Sequence, residues 1–235
     1  MSLSAIQIEA LVTLGAPVLC VDTCAVLDIL RDVTRETARA ADAQAALALL
    51  RQAEARPSGL IVLMAEQVQR ELSDNLDAVE AEAQGKLSKF RAAVHRIHDI
   101  AQTFGASGSI DTSHWTDHVD RARKTLDRWV AVSWQVPQSP DTAGRALARV
   151  NEPRIPARKG KDSMKDCVVV EAYLEVAHQL RAGGLTAPVA FVSSNTKEYH
   201  VPTTGRLEQQ IAQDFAAFGI EFAPSFGAAK HSLRL

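Results

Sequence analysis

The sequence is poor in the features that define several classes of protein. Its 235 residues include only three cysteines, Cys20, Cys24 and Cys167, which excludes a disulfide-stapled scaffold and favours a reducing compartment. Aromatic residues make up 5% and the formal net charge is -2, which excludes a broad stacking platform or a basic surface for nucleic acid. No apolar run reaches the roughly 18 residues of a membrane helix, and the N-terminal segment lacks the basic region of a signal peptide. We therefore expect a cytoplasmic protein with no membrane partner.

Three short apolar runs are typical of buried strands, and a fourth segment, Ile-Glu-Phe, is a candidate strand. They lie at 18–21, 60–64, 189–192 and 220–222, and helical segments separate them. Strands that alternate with helices predict a parallel sheet covered on both faces. We therefore predict a single α/β domain over 1–235, with a three-layer α/β/α fold and a parallel sheet of about four strands.

The stretch 73–151 contains no convincing strand and is rich in helix-forming residues. We predict that it is a large helical insertion within the domain. Its helices are expected over 65–104, with a break near Gly85 because glycine is a poor helix former, and over 114–135. The C-terminal tail, which ends in Lys-His-Ser-Leu-Arg-Leu, is expected to be loose.

Carboxylates follow the first two predicted strands at their carboxyl ends, where parallel sheets bind ligands. Asp22 ends the first strand, and Glu71 lies on the helix after the second. Asp166 lies in the first turn of a later helix, with Asp162 just before it. Converging carboxylates repel one another unless a divalent cation neutralises them, and oxygen ligands suit Mg²⁺ or Mn²⁺. The alternatives are that a helix N-terminus is the partner of Asp22 and that Asp162 is only a helix cap.

Short polar residues follow the third predicted strand at the same edge of the sheet. Ser193, Ser194 and Asn195 come directly after it, and Glu198 lies one helical turn further on. We expect these side chains to complete a site that the acids begin.

A basic segment stands immediately before Asp166. The segment 154–165 holds five basic residues and one acid, a local charge of +4 in a chain of charge -2. Such a segment is either an ordinary solvated loop or a holder of a polyanion through phosphate contacts. On the second interpretation, with the polar residues of the strand ends included, the predicted substrate contacts are Thr23, Arg154, Arg158, Lys159, Lys161, Lys165, Ser193 and Ser194.

Four motifs, in this order along the chain, resemble the PIN-domain nuclease family. They are Val-Asp-Thr-Cys at 21–24, Gln-Val-Gln-Arg-Glu-Leu at 67–72, Lys-Asp-Ser-Met-Lys-Asp-Cys at 161–167 and Phe-Val-Ser-Ser-Asn-Thr-Lys-Glu-Tyr at 191–199. The length and the helix-rich middle are similar to a larger bacterial branch of that family.

The resemblance implies a compact α/β/α fold and endonucleolytic cleavage of RNA with Mg²⁺ or Mn²⁺. By position, it implies that Asp22, Glu71 and Asp166 bind the metal and that Asp162 assists them. It also implies catalytic roles for two residues of the fourth motif, with Asn195 orienting the site and Glu198 standing in for the family's fourth acid, which is usually Asp.

Other functions stay open on the sequence alone. Cys24 stands where the family commonly has Asn or Ser, and with Glu198 this permits a catalytically weak or inactive RNA-binding or regulatory module. A DNA-directed nuclease would use the same metal chemistry. A phosphotransfer enzyme with an Asp-x-Asp motif is disfavoured, because Cys24 stands two residues after Asp22. The insertion 73–151 is expected to restrict the substrate, to form a homodimer or to bind a regulatory protein.

Overall fold

A five-stranded parallel sheet forms the centre of the protein. The computed structural model describes residues 3–158 and 163–235. The strand order is β3-β2-β1-β4-β5, and each neighbouring pair is parallel. The strands are β1 (Val18–Val21), β2 (Ile61–Ala65), β3 (Trp134–Val136), β4 (Val189–Val192) and β5 (Ile220–Ala223).

Ten α-helices are described in those parts of the chain, with one 3₁₀ turn at Ser113–Trp115. They are α1 (Ala5–Leu14), α2 (Thr23–Leu27), α3 (Ala40–Glu54), α4 (Glu66–Thr103), α5 (His118–Val132), α6 (Pro140–Asn151), α7 (Met164–Ala182), α8 (Thr196–Tyr199), α9 (Gln209–Ala217) and α10 (Phe226–Ser232). Every residue of β1, β2 and β4 is buried, as expected for strands covered on both faces. The predicted α/β/α fold is therefore confirmed. Among the described helices, none has the length and apolarity to span a membrane.

The strand β3 corrects the prediction that 73–151 holds no strand. Trp134–Val136 pairs with the end of β2 at the edge of the sheet, so the sheet has five strands where about four were predicted. Only one of its three residues is buried. A three-residue edge strand is too short to show an apolar run or an alternation of apolar and polar residues. The helix predicted over 114–135 also overlapped it.

The helix α4 corrects the prediction of a break near Gly85. It runs unbroken from Glu66 to Thr103. Glycine costs about 1 kcal/mol relative to alanine within a helix, which is too little to end one that packs on both sides of the glycine. Ala83 and Leu87, which flank Gly85, are both buried in the core.

The C-terminal tail is helical, so the prediction that it is loose was wrong. Ser225 caps α10 by accepting a hydrogen bond from the N–H of Ala228. Phe226 and Ala229 are buried, and the ring of Phe226 lies 5.1 Å from that of Trp129. Packing against α3, β4 and β5, together with the ring of Trp129, therefore orders a terminal segment that was expected to be loose.

Tyr173 joins α7 to the carboxyl ends of the two central strands. Its buried hydroxyl donates to the carbonyl of Val21 at 2.5 Å and accepts from the N–H of Ala65 at 3.0 Å. Those residues are the last of β1 and β2. The hydroxyl therefore holds α7, which carries Asp166, at the edge of the sheet where Asp22 lies.

A buried ion network holds α6 and α9 against α7. Arg149 donates to Oε1 of Glu171 at 2.8 and 2.6 Å, to Oδ2 of Asp214 at 2.8 Å and to the carbonyl of Ile155 at 2.7 Å. Both Arg149 and Glu171 are buried. The network ties the end of the predicted insertion to the helix that carries Asp166.

Arg149→Met should destabilise the fold by about 3 kcal/mol, because it removes the buried cation from Oε1 of Glu171 and leaves that carboxylate only the exposed Arg145, which donates to Oε2 at 3.1 Å. The free energy of unfolding in urea measures this loss. Arg154→Met is the matched control, since Arg154 is exposed but contacts the same Asp214, and it should cost less than about 1 kcal/mol. Equal losses for the two variants would show that Arg149 and Glu171 do not behave as a buried pair.

Candidate functional site

Asp22 ends the central strand and is buried, with 7% of its surface exposed. Its Oδ1 accepts from the N–H of Thr23 at 2.8 Å, and its Oδ2 accepts from the hydroxyl of Ser193 at 2.6 Å. The backbone N–H of Asp22 still donates to Val192 of β4 at 3.0 Å, so the sheet itself positions the carboxylate. A charged group in this position is costly unless several donors or a cation stabilise it.

Burial raises the pKa of Asp22 above its ordinary range. Hydrogen bonds from Ser193, Cys24 and Thr23 offset part of this increase, and the negative charge of Glu71 adds to it. Desolvation therefore outweighs the donors that surround the carboxylate. A nearby divalent cation would act in the opposite direction and favour the ionised form.

Thr23 links Asp22 to Glu71. Its backbone N–H donates to Asp22, and its hydroxyl donates to Oε2 of Glu71 at 2.7 Å. Gln67 holds the other oxygen of Glu71, through a hydrogen bond of 2.9 Å from Nε2 to Oε1. The structure thus brings together two predicted metal ligands, and the hydroxyl of Thr23, a predicted substrate contact, is engaged by Glu71. Gln67 was missed, although its spacing of four residues from Glu71 is the sequence signal for such a helical pair.

Ser193 is fully buried and lies between β4 and Asp22. Besides donating to Asp22, its hydroxyl accepts from the backbone N–H of Asn195 at 3.3 Å. Ser194 and Asn195 are half-buried at the start of α8. Ser193 therefore orients the carboxylate of Asp22 from within the core.

Cys24 keeps a polar contact with the site. Its Sγ lies 3.1 Å from Oδ2 of Asp22 and 3.3 Å from the hydroxyl oxygen of Ser193. Burial, with the adjacent charge of Asp22, raises the pKa of the Cys24 thiol to about 12. The protonated thiol is a weak donor to Asp22, in place of the Asn or Ser that is commoner in the resembling motif.

Asp166 and Glu198 lie on other elements, and both, like Asp22, lie close enough to Tyr199 for their charges to act on it. Asp166 is half-buried in the first turn of α7, and Glu198 is buried in α8. The pKa of Tyr199 is raised well above its usual value, first by burial and then by the negative charges of Asp22, Asp166 and other neighbours, Glu198 among them. Four predicted acids therefore come from four places around the sheet edge: Asp22 after β1, Glu71 on α4, Asp166 on α7 and Glu198 on α8.

The donor set has the chemistry of a site for a hard divalent cation, because carboxylate oxygens are the ligands that Mg²⁺ and Mn²⁺ prefer. In the described residues, no group of three or more His, Cys, Asp or Glu side chains lies close enough to hold a metal ion. Asp162, the fourth predicted ligand, lies outside the described residues.

The predicted basic segment divides into parts with different contacts. Arg154 pairs with Asp214 at 2.9 Å, so it lies with the ion network of α6, α7 and α9. Arg158 donates to the carbonyl of Lys197 at 2.8 Å, and its Nε lies 3.9 Å from Oε2 of Glu198.

Of the three lysines in the segment, the structure describes only Lys165. Lys165 is exposed on the first turn of α7, beside Asp166. Lys159 and Lys161 lie outside the described residues.

Asp22→Asn should stabilise the metal-free protein at neutral pH, because burial raises the pKa of Asp22 and makes its ionised form costly, whereas asparagine carries no charge. A carboxyl whose folded pKa is raised contributes stability at low pH and loses it as the pH rises through that pKa. The advantage of the variant should therefore grow as the pH rises from about 4, the ordinary pKa of aspartate, to neutral pH. Thermal unfolding in EDTA across this range measures it, and parallel pH profiles for wild type and variant would contradict it.

A family model described as "PIN domain" matches residues 19–199. Neither the curated proteins nor the solved structures include a match to this chain. The matched range begins in β1 and ends at Tyr199, so it contains Asp22, Glu71, Asp166 and Glu198. PIN domains are generally nucleases and typically use divalent metals. The match covers more than half of the chain, which therefore belongs to the PIN-domain family.

Proposed function

We propose that the protein is a metal-dependent endoribonuclease that hydrolyses RNA phosphodiester bonds at the carboxyl edge of the sheet. The observation that carries this proposal is the buried carboxylate of Asp22, joined through Thr23 to Glu71. Two acids so close at the end of a central strand repel each other, and a bound cation would remove that cost. Membership of the PIN-domain family supports the same function.

The proposed metal ligands are Asp22, Glu71 and Asp166, with Asp162 assisting. Bound Mg²⁺ or Mn²⁺ would activate a water molecule and neutralise charge on the phosphate. The chain's own residues prepare this site, because Thr23 and Ser193 hold two of the carboxylates in place. Such positioning matters because small displacements of ligands reduce rates steeply.

The proposed substrate contacts are Lys165, on the first turn of α7, and two lysines that precede it in the sequence, Lys159 and Lys161. Cations beside a metal site would hold the phosphates on either side of the scissile bond. RNA is proposed over DNA because the motifs resemble a family whose usual substrate is RNA. DNA is the alternative substrate that the same chemistry would serve.

One observation favours a catalytically weak RNA-binding or regulatory module as the second candidate. Arg158 approaches Glu198, the residue in the place of the family's fourth acid, at 3.9 Å. A cation at that place competes with a metal ion for the carboxylate. Binding of RNA without cleavage, under every metal condition, would support this candidate.

Asp166→Asn and Asp22→Asn should each reduce cleavage of labelled RNA by about 100-fold or more. The loss of a ligand removes several kcal/mol of stabilisation from the transition state. The measurement compares single-stranded and hairpin RNA with matched DNA in EDTA, Mg²⁺ and Mn²⁺. Asp99→Asn is the control, since Asp99 is an exposed acid near the far end of α4. Wild-type rates in either site variant at saturating metal would overturn the assignment of ligands.

Neutralising Lys159, Lys161 and Lys165 together should weaken RNA binding and flatten its dependence on salt. Each lost phosphate contact lowers the slope of log K against log salt by about 0.7 for single strands, so the three should lower it by about 2. Binding is measured in EDTA, where cleavage does not interfere. Neutralising Lys124, an exposed cation of α5, should leave the slope unchanged. An unchanged slope in the triple variant would show that these lysines are ordinary solvated cations.

A further inference from the structure

The distal half of α4 carries an apolar stripe that the described part of the chain leaves exposed. Phe90, Ile97, Ile100 and Phe104 are exposed by 46, 64, 52 and 86%. With the half-buried Ala93 they form what we call the α4 seam (Phe90, Ala93, Ile97, Ile100 and Phe104). Its spacings alternate between three and four residues, which is the repeat by which one helix packs along another.

The seam is separate from the face of α4 that packs against the rest of the fold. Ala83 and Leu87 are buried, and Val94 and Ala101 are half-buried, along a neighbouring stripe of the same helix. Phe90 lies between the two stripes, with its ring 6.1 Å from that of Trp115. The helix is therefore already anchored on one side, and the seam is a second and narrower apolar strip.

The charge around the seam is mainly positive, and Asp99 is the one acid within 86–104. Residues 86–98 include four cations and no acid, whereas 66–82 include six acids and one cation. Lys89 and Arg96 are exposed on one border of the seam, at the flanking position that selects a partner by charge, while the exposed Asp99 lies on the same side but further from the seam. A helix that packs on this seam would meet positive charge along that border.

We propose that the α4 seam docks an amphipathic helix of another protein, with acidic residues along the border of its apolar stripe that meets Lys89 and Arg96. Its apolar side chains would cover the seam, and its acids would face Lys89 and Arg96. Two copies of this chain do not offer that complement, because pairing their seams sets cations against cations or against apolar residues.

Two other kinds of ligand fit less well. Bases of a single-stranded RNA stack on aromatic rings, whereas Ile97 and Ile100 at the centre of the seam are aliphatic. A membrane surface needs a broad apolar face, whereas a strip of two positions in seven is the narrower seam of helix pairing.

The seam lies far from the candidate metal site along the same helix. At 1.5 Å per residue, Phe90 is about 28 Å and Phe104 about 50 Å from Glu71. A helix docked there would leave the sheet edge accessible. The proposal therefore does not depend on the nuclease activity, and binding alone tests it.

The test uses the full chain and a designed helical peptide of three heptads, labelled with a fluorophore. The peptide has Leu along its apolar stripe and Glu at the flanking positions on both sides of that stripe. Fluorescence anisotropy measures its affinity, and the same peptide with Lys flanks is the control. The acidic peptide should bind about tenfold tighter or more than the basic one, which corresponds to 1.4 kcal/mol or more, and added salt should reduce the difference.

Variants of the chain identify the surface that binds. Ile97→Ser with Ile100→Ser should abolish binding of the acidic peptide, while Ile6→Ser, at an exposed isoleucine of α1, should not change it. Lys89→Glu with Arg96→Glu should reverse the preference and favour the basic peptide. All these positions are exposed, and circular dichroism confirms that each variant is folded.

Three results would overturn the proposal. One is failure of the acidic peptide to bind, or binding that the Ile97 and Ile100 changes do not affect. Another is that wild type sediments as a dimer and that the changes at Ile97 and Ile100 convert it to a monomer. That result would show that a second copy of this chain occupies the seam. The last is tighter binding of single-stranded RNA, or of vesicles with anionic lipid, than of the acidic peptide, with the same dependence on the seam.

Discussion

The burial of the Asp22 carboxylate at the end of the central strand is the constraint on which the site depends. Its backbone extends the ladder with β4, so the side chain cannot leave the sheet edge without breaking a strand hydrogen bond. Burial raises its pKa although Ser193, Cys24 and Thr23 all donate to it. The surrounding residues donate hydrogen bonds that partly stabilise this one buried charge. The hydroxyl of Thr23 donates a hydrogen bond to Glu71. The hydroxyl of Tyr173 binds the end of β1 and so fixes α7, the helix that carries Asp166, at the same edge of the sheet.

The sequence was most informative where chemistry and periodicity coincide. A short apolar run that ends in Asp22 is typical of a buried strand with an acid at its carboxyl end, and three of the four predicted strands share that apolar signature. The order of the motifs predicted the PIN-domain family and the α/β/α fold, and the family model confirms the first of these. The proximity of Asp22 to Glu71 follows from the rule that ligands gather at strand ends.

What the sequence did not reveal depends on contacts between distant segments. The strand β3 exists because the end of β2 offers it an edge, and α10 is ordered because it packs on α3 and on the ends of the sheet, with Phe226 against Trp129. Tyr173 and Arg149 carry no local signal, since one sits in an apolar helix and the other in a stretch of ordinary helical composition. Their partners lie 152 and 22 residues away along the chain.

The most direct test of the account is the binding of Mn²⁺ to wild type and to Asp22→Asn, counted from the loss of the free-ion signal in electron paramagnetic resonance. We expect wild type to bind the ion with an affinity that rises with pH, because the metal must displace the proton that burial favours on Asp22. We expect the variant to lose this binding while it remains folded. Equal binding by the two proteins, or binding independent of pH, would contradict a metal site centred on Asp22.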